Sequence, residues 1–264
     1  MDTMRSPVSG DRSGNVAAAQ FGQLPGQLRI LAAALLLVAG LAWWWTVRAA
    51  SGMGPMEFAW APFLGGWAAM MAAMMLPAVT PVVLLYGRAA AAGRVAPTAF
   101  FVSGYLAVWV LSGLPAGVLW WRLADPLAMA MPWALRVSGV VLVLAGVYQL
   151  TPLKRSCLNR CRSPLGFLMR SGRPLDRPVN ALRAGLAHGT SCAGCCVGLM
   201  VVLMLAAAMQ PVWAALLALG VFAERNLRNG ETIARTLSAV LVTLGILALT
   251  SPAFAQGLVQ GELL

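Results

Sequence analysis

Charge is scarce in this sequence. Only 10% of its 264 residues are Asp, Glu, Lys or Arg, where a soluble domain carries about 25%, so a water-facing globular protein is excluded. Acidic groups are scarcer still, eight in all, and there is one histidine, His188. The chain holds no carboxylate pair, no hydrolytic triad and no phosphate loop, and no enzymatic activity is expected of it. It also has no nucleic-acid-binding motif. The net charge of +11 lies between apolar runs, as it does in the cytoplasmic loops of membrane proteins, and no nucleic-acid partner is expected. Cysteine is limited to five residues, an odd number that rules out complete disulfide pairing.

What remains is apolar. The sequence is 60% hydrophobic, and several runs approach the roughly 20 residues needed to cross a bilayer. The expected fold is an all-α, polytopic transmembrane bundle of about seven spans. These lie near 28–48, 61–85, 97–121, 133–150, 184–209, a short run after Pro211 ending at Glu224-Arg225-Asn226, and 234–251. Hydrophobicity is nearly continuous across Pro211, so spans five and six merge in the alternative reading, giving six. Residues 1–27 are polar and read as a disordered tail, 28–251 as the membrane domain and 252–264 as a C-terminal tail. The first run ends in Trp43-Trp44-Trp45, an interfacial anchor, and reads as a retained span rather than a cleaved signal.

With seven spans and a cytoplasmic N-terminus, one side receives all 19 basic residues except Arg48, Arg122 and Arg136. The positive-inside rule then places the basic segment 151–183 in the cytoplasm. Its prolines (Pro152, Pro164, Pro174, Pro178) argue against one continuous helix there.

All five cysteines and the histidine fall inside this region and the span after it. Cys157 and Cys161 lie among Lys154, Arg155, Arg160 and Arg162. His188, Cys192 and Cys196 are spaced i, i+4, i+8, so a helix places them on one face with Cys195 beside them. Gly185/Gly189 and Gly194/Gly198 are small pairs four apart, which admit a close neighbouring helix. Thiolate and imidazole donors suit Cu(I) first and zinc second. Thiols facing the cytoplasm stay reduced, favouring metal binding over disulfides. The candidate ligands are therefore Cys157, Cys161, His188, Cys192, Cys195 and Cys196. Possible accessory residues are Met200, deeper on the same stripe, and Met70, Met71, Met74 and Met75, which form two i, i+4 pairs on span two. Core filling is the plain alternative for the methionines. Glu224, at the end of span six, pairs with Arg225 in the plain reading and orients His188 in the functional one.

Four blocks resemble a known family. They are Tyr148-Gln149-Leu150-Thr151-Pro152-Leu153-Lys154 with Cys157 and Cys161-Arg162-Ser163-Pro164-Leu165; His188-Gly189, Cys192, Gly194-Cys195-Cys196 and Leu199-Met200; Trp67, Met70, Ala73-Met74-Met75 and Pro77; and Glu224. Over about residues 55–250 the chain resembles the DUF2182 family of bacterial predicted metal-binding integral membrane proteins, sometimes labelled copper chaperones. The resemblance implies metal binding through the cysteines and the histidine, in a bacterial inner membrane. The chain departs from the family pattern at Val197, where an aromatic is expected, and at Arg225-Asn226, where a lysine is.

The expected function is copper handling or delivery through a Cys/His cluster at the cytoplasmic side, with Cu(I) as the ion. The expected partners are the lipid bilayer and a metal-receiving or membrane-protein partner. A membrane thiol–disulfide oxidoreductase and an assembly subunit of a larger complex are the alternatives. The oxidoreductase has only Cys192-x-x-Cys195 in its favour.

Overall fold

The computed structural model describes residues 25–52, 59–162, 174–205, 211–227 and 229–260. The tail expected over 1–27 lies almost wholly outside the described residues, as do 163–173 of the basic segment and 206–210 between spans five and six.

Among the described residues the regular structure is entirely α-helical. The elements are α1 (Gly26–Gly52), α2 (Trp60–Ala91), α3 (Thr98–Ala128), α4 (Pro132–Gln149), α5 (Pro152–Arg162), α6 (Pro178–Leu205), α7 (Pro211–Asn226), α8 (Gly230–Thr250) and α9 (Pro252–Gln260). Six of them, α1 to α4, α6 and α8, are long and apolar enough to cross a membrane. The fold is the expected polytopic bundle, and the count of six arises without merging spans five and six. Helix α7 stands as its own element of 16 residues, about 24 Å at 1.5 Å per residue, against a hydrocarbon core of about 30 Å.

Two further elements refine the sequence reading. Residues 152–162 of the basic segment form a helix rather than a loop. Pro152 sits at its first position, where the missing N–H costs nothing. Thr151 caps it, its Oγ1 accepting from the Lys154 N–H at 3.3 Å, the position an N-cap hydroxyl serves. Beyond Thr250, helix α9 packs against α4 and α8.

Small residues decide which helices touch. Helices α3 and α6 run parallel in the most intimate contact of the bundle. A Cβ at Gly104 would run into the Leu182 carbonyl, and one at Gly185 into the Phe101 carbonyl. At Gly189 it would lie 2.9 Å from Val108 Cγ2 and 3.1 Å from the Tyr105 carbonyl. Ala181, fully buried, extends this seam. With little hydrophobic force between helices in lipid, such close van der Waals approach is what holds them. Gly185→Ala is expected to cost about 1–3 kcal/mol through overpacking, read as a lowered Tm in detergent. The second tight pair, α4 with α8, meets at Gly139 and Gly245 and at Gly146, whose carbonyl accepts from Ser238 Oγ at 2.7 Å.

Helix α2 packs mainly on α1, α3 and α7. Its tie to α3 is the Trp67 indole, Nε1 donating to the Trp109 carbonyl at 3.0 Å. Nearer its far end Tyr86 stacks on Phe101, ring centroids 4.8 Å apart.

Candidate metal centre

The site is built where α5 lies over α6. Helix α6 starts at Pro178, about two turns before the expected start near Ala184, so Cys192, Cys195 and Cys196 fall past its middle rather than near its head. All three are buried. Gly194 clears the surface beside them. A Cβ there would sit 2.9 Å from Cys157 Sγ, so glycine is what lets α5 bring its sulfur down onto α6. Gly198 does the same for α4, receiving Tyr148 Cδ1 at 3.2 Å. The Tyr148 hydroxyl donates to the Gly194 carbonyl at 2.5 Å.

Cys161 on α5 lies within electrostatic reach of Cys195 on α6, and Cys195 and Cys196 lie one turn along from Cys192. Cys195 and Cys196 also donate to the Cys192 carbonyl, at 3.1 and 3.0 Å. The Tyr105 hydroxyl from α3 closes the row 3.1 Å from Cys192 Sγ. His188, one turn before Cys192, is 1% exposed and lies against the rings of Phe101 and Tyr105, centroids 6.0 and 5.9 Å away. Because α5 is helical, Cys157 and Cys161 are one turn apart. Cys161 is buried and Cys157 is the partly exposed member of the five.

Among the described residues, no three His, Cys, Asp or Glu side chains converge in a geometry able to hold a metal ion. Zinc takes four ligands in structural sites, whereas soft thiolate donors are among those Cu(I) accepts.

Three charged side chains surround the sulfurs. Lys154 Nζ donates to both Glu224 oxygens, at 2.8 and 2.7 Å, with the pair 1% and 2% exposed. Glu224 thus joins α7 to α5, and Lys154 is the partner of its carboxylate. Beside it, the buried Arg225 guanidinium donates from Nη2 to Cys195 Sγ at 3.6 Å. On α5, the bond to Cys195, burial and the neighbouring sulfurs push the Cys161 thiol up. Burial foremost, then Cys195, raises the Cys157 thiol against the pull of Arg160. A raised thiol has less thiolate at neutral pH, and thiolate is the nucleophile. As the partly exposed member, Cys157 is expected to be the first cysteine labelled by maleimide, with a rate that keeps climbing with pH beyond the range of an ordinary thiol, read by peptide mass spectrometry.

The structure brings Cys157, Cys161, Cys192, Cys195 and Cys196 together and sets His188 alongside. Met200 lies further along α6, buried. Met70, Met71, Met74 and Met75 are 0–4% exposed and lie on α2 between its Trp67 and Tyr86 ties to α3, along the stretch that carries Tyr105. Sequence reasoning missed Tyr105, Lys154 and Arg225. Tyr105 gives no sequence signal. Lys154 looked like one more cation of a basic loop, and Arg225 like a charge at a helix end.

Fold and contacts define an all-α polytopic bundle in which a short basic helix seats its cysteines beside those of a buried long one. A family model described as PpoB2, copper chaperone, matches residues 64–248. The chain belongs to that family. The description agrees with the copper-chaperone label carried by the resemblance seen in the sequence, and says nothing of the DUF2182 designation. No curated protein and no solved structure matches the chain.

Proposed function

We propose that this chain binds Cu(I) as cargo within the membrane and hands it to a receiving protein, without enzymatic chemistry of its own. The observation that carries the reading is the seat at Gly194, which admits Cys157 Sγ of α5, with Cys161 buried one turn on, beside the buried Cys192, Cys195 and Cys196 of α6. Two soft donors supply what Cu(I) needs. Cys192 and Cys196 are the next donors along the row, Cys157 is the one nearest solvent, and His188 stands behind Cys192. In this reading Cys157 receives the ion and Cys161 with Cys195 hold it. Met70, Met71, Met74, Met75 and Met200 serve as a thioether path beyond. Glu224 acts through Lys154, fixing α5 over α6. The basic residues flanking the four spans before α5 support α5 on the cytoplasmic side, and the family resemblance supports a bacterial inner membrane.

The test is elemental analysis of detergent-purified protein loaded anaerobically with Cu(I), together with X-ray absorption at the copper edge. About one copper per chain with sulfur neighbours is expected. Absent copper, or a native disulfide among these cysteines that exchanges with a partner, overturns the reading.

A further inference from the structure

Arg225 is 8% exposed, and its Nε is buried with no hydrogen-bond partner. Among the described residues it takes part in no ion pair. The neighbouring carboxylate does not serve it, because both Glu224 oxygens accept from Lys154. Lys154 and Glu224 cancel one another, so one positive charge is left over, and its Nη2 donates to Cys195 Sγ. Burying a lone cation is costly. An arrangement that bears this cost keeps a place for a negative charge, and the atom the guanidinium addresses is a sulfur.

We propose that Arg225 is the specificity-determining cation of this site, setting it to accept a monovalent soft metal ion between two thiolates. The proposal rests on the copper reading above and adds to it. The balance is simple. A monovalent ion and two thiols give a bis-thiolate complex of charge −1 and release two protons to solvent, and the guanidinium neutralises the complex. A divalent ion between the same two sulfurs gives a neutral complex, leaving the guanidinium uncompensated. Selectivity for charge thus comes from a residue that is not a ligand.

The experiment compares the full-length native protein with Arg225→Lys and Arg225→Gln. Cu(I) and Ag(I) affinities are measured by competition with a chromophoric chelator, and Zn(II) affinity in parallel. Arg225→Gln is expected to lose tenfold or more in affinity for both monovalent ions, each tenfold being about 1.4 kcal/mol, and to lose none for Zn(II). Arg225→Lys, which keeps the charge, is expected to retain most of the native affinity and preference. The metal-free Tm of each variant separates a folding defect from a binding one. Should Arg225→Gln not fold, the Lys variant decides alone, since loss of its Cu(I)-over-Zn(II) preference overturns the proposal. Equal loss of all three ions, or an unchanged Cu(I) affinity in Arg225→Gln, also overturns it while leaving the copper site standing. Failure of the native protein to bind Cu(I) through sulfur overturns both.

Discussion

Cys195→Ser is expected to strip the purified protein of its copper, from about one ion per chain to background. Cys195 is the buried sulfur that Arg225 addresses, and it lies within electrostatic reach of Cys161 across the helix interface while its own thiol donates to the Cys192 carbonyl. Oxygen in place of sulfur removes a soft donor that a hard hydroxyl does not replace. The loss should exceed the 10–100-fold typical of an outer partner. Cys161→Ser is expected to match it, because the two residues supply one donor each. Cys157→Ser should leave most equilibrium binding intact and slow the loading rate, since Cys157 is the partly exposed member of the set. Inductively coupled plasma mass spectrometry and stopped-flow transfer from a Cu(I) chelate measure the two effects. Copper retained by Cys195→Ser at the native level would remove this residue from the site.

Lys154→Met is expected to give the largest fall in stability. The Lys154–Glu224 pair is almost fully buried, and removing one partner leaves the other charge in a medium that cannot solvate it. Such breaks cost about 3–5 kcal/mol. Replacing both partners together (Lys154→Met with Glu224→Met) should restore much of that, because two well-packed apolar groups substitute for a buried pair at little net cost. Thermal unfolding of the four proteins of this cycle gives the coupling directly. The native pair should also be insensitive to salt, since burial shields it from screening ions. A single variant as stable as the native protein would show the pair to be water-exposed in solution.

The bundle was legible because lipid imposes its own grammar: runs of apolar residues long enough to cross can only be helices. The small pair at Gly185 and Gly189 correctly marked a close helix neighbour, and Gly194 and Gly198 marked the seats of Cys157 and Tyr148. Helix α5 was hidden because its composition is basic and proline flanks it, although no proline lies between Pro152 and Pro164. Helix α7 read as a short span because hydropathy reports apolarity more reliably than length. The thiols were found by their own density in the sequence. The charges that surround them were not, since periodicity says which residues share a face and is silent on which face meets which. Lys154 and Glu224 are seventy positions apart, and only the folded chain makes them one feature.

Gly194 gives α5 its seat, and that seat has a mechanical consequence. The two sulfurs that would grip an ion belong to separate segments, so the ion itself becomes a rivet between them. Loading would fasten the short basic helix to its long neighbour, and unloading would free it by as much as the ion's binding is worth. A recipient that pries α5 away would therefore weaken the grip on the ion in the same movement, and delivery would need no separate trigger.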